Sequence, residues 1–195
     1  MRMSFFLASM SQRRRELLGQ LGIPFQLINV DIDERKRDKE TPINYVERMA
    51  KEKAEFGIAS LADQENAVVL AADTIVVQGD QVLGKPKDEQ HAQAMLRSLS
   101  GRSHVVMTAF ALKNQHKTRI QRVNTTVFFR NVLEAEVAWY WQTGEQHDKA
   151  GGYAIQGLGG VFVSSITGSY SSVVGLPLAE LVTSLREFGI DFPSK

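Results

Sequence analysis

Short apolar blocks alternate with polar ones along the chain, and their period switches between that of a strand and that of a helix. Ser4 to Ala8 predicts a short buried strand. Arg13 to Leu21 predicts a helix with Leu17, Leu18 and Leu21 on one face and Gly22 as its stop. Phe25 to Val30 is a second apolar run, followed by the charged stretch Asp31 to Glu40. Thr41-Pro42 opens a helix that runs to about Ala59, because Pro suits the first helical turn. Ala67 to Val77 predicts a long strand interrupted only by Asp73 and Thr74. The turn Gly79-Asp80 then lets Gln81 to Gly84 pair back.

Asp88 caps a helix that ends near Gly101, and Val105 to Leu112 and Arg119 to Phe129 read as strands. Asn131 with Glu134 has capping-box spacing, introducing a helix through Trp141 that stops at Gly144. Five of the fifteen glycines fall in Gly151 to Gly160, which predicts a shaped loop. Val161 to Ile166 and Tyr170 to Val174 are expected to form a hairpin across Thr167-Gly168, and Pro177 to start a last helix ended by Gly189. No repeat interrupts the series. The alternation predicts an α/β fold with a mixed sheet.

Composition narrows the function. With 43% hydrophobic and 23% charged residues among 195, the chain can bury a core. A formal charge of +1 argues against coating nucleic acid or an anionic membrane through bulk charge, so an anion site must be a local cluster. The absence of cysteine removes disulfides and thiolate chemistry and fits a reducing compartment. No stretch approaches the roughly 18 apolar residues of a membrane span. The expectation is a soluble cytoplasmic protein.

Three places carry candidate chemistry. In Leu7 to Arg15, LASMSQRRR, a strand leads through serines into a helix whose first turn holds three arginines. Basic groups are unfavourable there unless an anion joins them, when amides, hydroxyls and guanidiniums converge on it. A solvated basic helix end is the plainer reading. Lys53 shares a helix face with Val46, Ala50 and Gly57, the three lying within about 40° of Val46 on a 3.6-residue wheel, while Glu47, Arg48, Lys51 and Glu52 point to solvent. A lysine so placed either snorkels outward or serves an anion. Asp73 lies inside AVVLAADTIVV, where a lone carboxylate is costly unless paired, hydrated or metal-bound; a carboxylate bonded to a turn or strand end is the alternative.

Other patterns are negative. Gly79 to Pro86 begins like a P-loop, but Pro86 stands where the Mg²⁺-binding hydroxyl belongs. Lys85 is left as a cation on a rigid Gly-Lys-Pro turn. In Asp148 to Gly157, DKAGGYAIQG, glycines allow close backbone approach and Gln156 offers one donor and one acceptor. Four scattered histidines give no zinc-like pair.

Together these segments resemble the Maf family of nucleoside triphosphate pyrophosphatases across nearly the whole chain, which then reads as a single domain over 1–195. The LAS-x-S-x-RR opening stands at Leu7 to Arg14, the EKA lysine at Lys53 and AADT at Ala71 to Thr74. GKP stands at Gly84 to Pro86, the DKAG-x-Y-x-IQG loop at Asp148 to Gly157 and VVGLPL at Val173 to Leu178. Glu34 matches the family's acidic residue after the second strand. Met10 and Gln12 depart from the common Gly and Pro of the first loop without removing a hydroxyl or cation.

The resemblance implies a mixed, twisted sheet flanked by helices, in two lobes around a nucleotide-binding cleft. It implies hydrolysis of a nucleoside triphosphate between the α- and β-phosphates. Asp73, Glu34, Lys53 and Lys85 would be catalytic, with Asp73 and Glu34 holding Mg²⁺ or Mn²⁺. Ser9, Ser11, Arg13, Arg14, Thr74, Asp148, Lys149, Gln156 and Gly157 would bind substrate. Arg13, Thr74 and Gln156 match the branch acting on dTTP and UTP rather than 7-methyl-GTP, and a homodimer is implied by the resemblance only. The rivals are a non-hydrolytic nucleotide sensor and an RNA- or DNA-binding protein built around Arg13 to Arg15, which the near-neutral charge disfavours.

Overall fold

A computed structural model describes residues 3–192 of the chain. In order it forms β1 (Ser4–Ala8), α1 (Gln12–Gly19), β2 (Gln26–Ile28), α2 (Pro42–Ala59), β3 (Ala67–Gln78), β4 (Gln81–Leu83) and α3 (Glu89–Leu99). There follow β5 (Ser103–Lys113), β6 (Thr118–Phe129), α4 (Glu134–Gln142), tight helical turns at Ala150–Gly152 and Leu158–Phe162, β7 (Val163–Thr167), α5 (Tyr170–Val174) and α6 (Leu178–Glu187). The sheet is seven-stranded in the order β2-β1-β3-β5-β6-β7, with β4 paired to β3. β1 runs parallel to both β2 and β3, whereas β4 and β7 are antiparallel to β3 and β6. The expected mixed α/β class is therefore observed. Among the described residues no helix is long and apolar enough to cross a membrane.

The chain divides into two compact units, with cuts inside β3, β5 and β6 and one after α5. The first takes the chain up to Asp73, then Thr108–Val123, then from Gly175 onward; the second takes Thr74–Met107 and Asn124–Val174. In the first unit α2 packs on β1, burying Val46, Met49, Ala50 and Ala54. Its close approach depends on Gly57, where a Cβ would stand 2.8 Å from Val69 Cγ1 and 3.1 Å from Ala8 Cβ. Thr41 caps this helix by accepting from the Asn44 amide at 3.2 Å, with Pro42 at its first position.

The core of the second unit combines Val76, Leu96, Leu99, Val106, Val127, Phe129, Val137, Tyr140, Tyr153 and Phe162. His104 is buried among them, edge-on to Phe129 and Tyr153, and its Nε2 lies 2.7 Å from the Tyr153 hydroxyl.

Three expectations are corrected. The first helix spans Gln12–Gly19, so Leu21 lies in the following turn and is only half-buried. The capping box of α4 is not Asn131 with Glu134: Glu136 reaches back to accept from the Leu133 amide at 2.8 Å, while Arg130 holds its carboxylate. The expected second strand of a terminal hairpin, Tyr170 to Val174, is helical, and the strand before it begins at Val163. The cause is Ser169, whose Oγ accepts from the Ser172 amide and whose carbonyl accepts from the Val173 amide, a helix start. Thr125 Oγ1 fastens Ser169 to β6 by accepting from its amide and donating to its carbonyl. Gly168 at φ +130° makes the tight bend, with no room for a Cβ beside Thr125.

Burial holds His104 down at about 4, below its ordinary value. The folded chain therefore binds fewer protons than the unfolded one between pH 4 and about 6.5. Stability is full above that window and is lost as pH falls through it, by roughly 3 kcal/mol if His104 must charge. Urea unfolding midpoints are expected to drop from pH 7 to pH 4.5. His104→Phe is expected to be less stable at pH 7, because the Tyr153 hydroxyl loses its partner, but to show a flatter profile over that range, so that its deficit shrinks as pH falls.

Candidate active site

The strand β1 delivers the chain into a turn whose polar groups are already organised. Ser9 is buried, and its Oγ accepts from the Ser11 amide at 3.2 Å; Ser11 in turn caps α1 by accepting from the Arg14 amide at 3.4 Å. Arg13 sits half-buried in the first turn of the helix. The Arg14 guanidinium donates through Nε to the Gly175 carbonyl at 2.8 Å. Burial pushes Arg14 below its ordinary value, a shift opposed by Asp73, assisted by Arg13 and opposed again by Glu34. Arg14 thus shares its surroundings with both carboxylates expected to act.

Lys53 joins those carboxylates. Its Nζ lies 2.7 Å from Asp73 Oδ1 and 2.7 Å from Glu34 Oε1. The side chains of Lys53 and Asp73 are only 12% and 14% exposed, whereas Glu34 is 56% exposed. The lysine therefore does not snorkel: it is turned inward and compensated on two sides. Asp73 is likewise no lone interior carboxylate. Gly57, one turn further along α2, sets the close approach that lets a helix side chain reach a strand residue here.

Sequence reasoning missed what holds Glu34. The segment Asp31 to Glu40 is irregular, yet it is tied to α2 at several points. The Tyr45 hydroxyl donates to the Glu34 carbonyl at 2.8 Å, and Arg48 Nη2 donates to the Arg35 carbonyl at 3.1 Å. Arg48 also grips Glu40 at 2.6 and 2.8 Å and Glu52 at 3.0 Å, while Arg37 bonds Glu52 at 2.8 Å. Arg48 was expected to point to solvent, but its side chain is 13% exposed and that of Glu40 only 7%. The spacing of Arg48 to Glu52 is the only trace of this clamp in the sequence. Tyr45 is pushed up to about 12, by burial first and then by the neighbouring Asp73 and Glu34 carboxylates.

The second unit gathers the remaining expected residues differently. Thr74 continues β3 directly after Asp73. Lys85 is exposed on the turn after β4, and the Gly84 carbonyl beside it accepts from the Gly151 amide at 3.0 Å. Gly151, at φ +72°, has Val76 Cγ2 where a Cβ would meet it at 2.9 Å, so the turn and the loop approach through backbone alone. Lys149 pairs with Asp148, and the Lys149 amide donates to the Gln146 carbonyl. Gln156 and Gly157 are exposed beyond the anchored Tyr153. Within the first unit Lys53 joins Glu34 and Asp73, Ser9 and Ser11 join the start of α1, and Arg14 feels the charge of Asp73, Arg13 and Glu34. Within the second, the Lys85 turn joins the Asp148 loop. Among the described residues no group of three or more Asp, Glu, His or Cys side chains is arranged to hold a metal.

Comparison with known proteins adds to this geometry. The family model described as "Maf-like protein" matches residues 4–188. A "dTTP/UTP pyrophosphatase" of Hahella chejuensis is 50% identical over 184 residues, covering 94% of this chain and 92% of that protein. A "dTTP/UTP pyrophosphatase" of Shewanella oneidensis is 49% identical over 193 residues, covering 96% of this chain and all of its own length. A solved structure of the Staphylococcus aureus Ham1 protein shows a TM-score of 0.43 and 13% identity over 65% of this chain and 71% of that one.

The clamp has a measurable consequence. Hydrogen bonds from Arg48 hold the Glu40 carboxyl down at about 2. The stability this contributes is fully present above the ordinary glutamate range and is lost as pH falls toward 2. Arg48→Met leaves Glu40 without its main partner and is expected to lower unfolding free energy by about 2 kcal/mol at pH 7. It should also shrink the loss of stability between pH 4.5 and pH 2. Chemical denaturation across that range reads both effects.

Proposed function

The chain belongs to the Maf-like protein family, and on that premise we propose that it hydrolyses dTTP and UTP to the nucleoside monophosphate and pyrophosphate. The observation that carries the reading is Lys53, held 2.7 Å from both Asp73 and Glu34. Relatives about half identical over almost the whole chain carry that activity in their names.

The residues suit a polyphosphate. At the Ser11-capped start of α1, the serine hydroxyls and the Arg13 and Arg14 guanidiniums offer donors of the kind that meet phosphate oxygens. An ammonium has three donors, and Lys53 directs two toward Asp73 and Glu34, leaving a third for a phosphate oxygen. Asp73 takes the proton from a water attacking phosphorus in line, and the bridging α–β oxygen departs with the pyrophosphate. Lys53 keeps the Asp73 carboxylate oriented for that step.

The donor set also fits a hard divalent cation. Two carboxylates, one of them more than half exposed, suit Mg²⁺ or Mn²⁺, which accept few protein oxygens and fill their remaining positions with water and phosphate. Asp73 and Glu34 would hold it, and when bound it would neutralise charge on the phosphoryl oxygens. Lys85, Asp148 and Lys149 contribute further charge in this proposal, and Thr74 and Gly157 contact the nucleotide. Gln156 reads the N3–H donor and O4 acceptor of uracil or thymine through its paired amide groups. A homodimer and a cytoplasmic setting come with the family reading, the first open to light scattering.

A nucleotide sensor would use the same cations without needing Asp73. Asp73→Asn is expected to reduce pyrophosphate release from UTP by about 10²–10⁴-fold while UTP binding persists; unchanged turnover would favour a different catalytic group. In a panel of nucleoside triphosphates assayed with Mg²⁺ and Mn²⁺, UTP and dTTP should lead. Turnover of a purine such as 7-methyl-GTP with none on pyrimidines would overturn the base assignment.

A further inference from the structure

The turn that carries Gln156 is held by a carboxylate that neither the motifs nor the proposed chemistry uses. Glu145 follows α4, and its Oε1 accepts from the Leu158 amide at 2.9 Å. Its Oε2 accepts from the Gly159 amide at 2.9 Å and from the Tyr140 hydroxyl at 2.6 Å. Tyr140, almost wholly buried, accepts in turn from the Ala154 amide at 3.2 Å. One Tyr–Glu pair therefore fixes the backbone on both sides of Gln156, at Ala154 before it and at Leu158 and Gly159 after it. The turn closes on itself through Gly157 N–H to the Ala154 carbonyl and Gly160 N–H to the Gly157 carbonyl.

The glycines of this turn make room for the anchor. A Cβ on Gly157 would stand 1.8 Å from Glu145 Oε1, and one on Gly159 would stand 2.7 Å from the Tyr140 hydroxyl. The backbone of Gly157 is ordinary, at φ −116°, so glycine is required there by the carboxylate and not by conformation. A carboxylate satisfied by two amides and a phenol in a partly buried site is a strong, geometrically specific restraint.

We propose that Glu145, acting with Tyr140, is a positioning residue for base selectivity: it fixes the turn from which Gln156 reads the pyrimidine. The inference rests on the assignment of Gln156 to the base edge. Uracil offers an acceptor at O4 and a donor at N3, whereas cytosine offers a donor at N4 and an acceptor at N3. An amide can face either pattern once it is free to turn, so discrimination between them requires the backbone beneath it to stay put. Glu145 supplies that restraint without touching the nucleotide.

The test compares Glu145→Gln, Tyr140→Phe, Gln156→Ala and the double variant E145Q/Q156A, each assayed on UTP and CTP with unfolding measured alongside. E145Q replaces one acceptor oxygen by a donor that must face an amide N–H. It is expected to lower the UTP-to-CTP ratio of kcat/KM by about tenfold, chiefly through KM for UTP. Y140F should shift the ratio in the same direction and serves if E145Q does not fold. The double variant should be no less selective than Q156A alone, because both changes remove one function. A folded E145Q or Y140F with wild-type selectivity, alongside a Q156A that has lost it, overturns the role of Glu145. A Q156A that keeps wild-type selectivity overturns the base-reading assignment itself, and with it this inference.

Discussion

An ammonium on the buried face of a helix must be compensated, and the first unit is arranged around that requirement. Lys53 emerges between Ala50, Ala54 and Gly57, where α2 lies against the sheet, and cannot reach water freely at 12% exposure. Withdrawing such a charge from solvent costs several kcal/mol unless partners replace the lost hydration. Asp73 supplies one partner from the strand and Glu34 the other from the irregular segment, each at 2.7 Å. Removing Lys53 takes the shared cation from two carboxylates, and removing either carboxylate leaves the ammonium a single partner. The cluster is therefore an expensive way to stabilise a fold and a direct way to hold carboxylates and a cation in fixed relation.

That relation needs support of two kinds. On the sheet side it needs a close helix, which Gly57 permits by lacking a Cβ. On the loop side it needs Glu34 kept within reach, which Tyr45 and Arg48 provide by bonding the loop's carbonyls and Glu40. The second unit solves its positioning problem with backbone contacts instead. Gly151 meets Gly84, Tyr153 meets His104, and Glu145 meets Leu158 and Gly159, so the residues on the turn and loop are aimed by their backbone.

Much of this was legible in the sequence because it obeys local rules. The wheel that placed Lys53 with Val46, Ala50 and Gly57 needs only the helical period, and Asp73 stood out because an apolar strand rarely carries a carboxylate. The caps at Thr41 and Asp88 follow from side-chain chemistry at a helix start. What escaped depends on partners distant in sequence. Tyr170 to Val174 follows Thr167-Gly168 where the second strand of a hairpin is expected, but Ser169 is caught by Thr125 on another strand and begins a helix. Arg48 looks solvated on the wheel, and only the folded-back segment that brings Glu40 to it makes it buried. Glu145 gives no signal beyond a charge after Gly144, because its two amide partners come from a turn whose shape the sequence leaves open.

If the Lys53 cluster serves a triphosphate, as proposed, substrate and metal will be found on it. The most direct measurement is a crystal structure with Mn²⁺ and a UTP analogue whose α–β bridge resists hydrolysis, the metal located by its anomalous signal. Phosphate oxygens are expected on the Ser9 to Arg14 turn and on Lys53, with Mn²⁺ bound by Asp73 and Glu34. A polyphosphate bound elsewhere, with Lys53 still closed between its two carboxylates, would contradict that proposal.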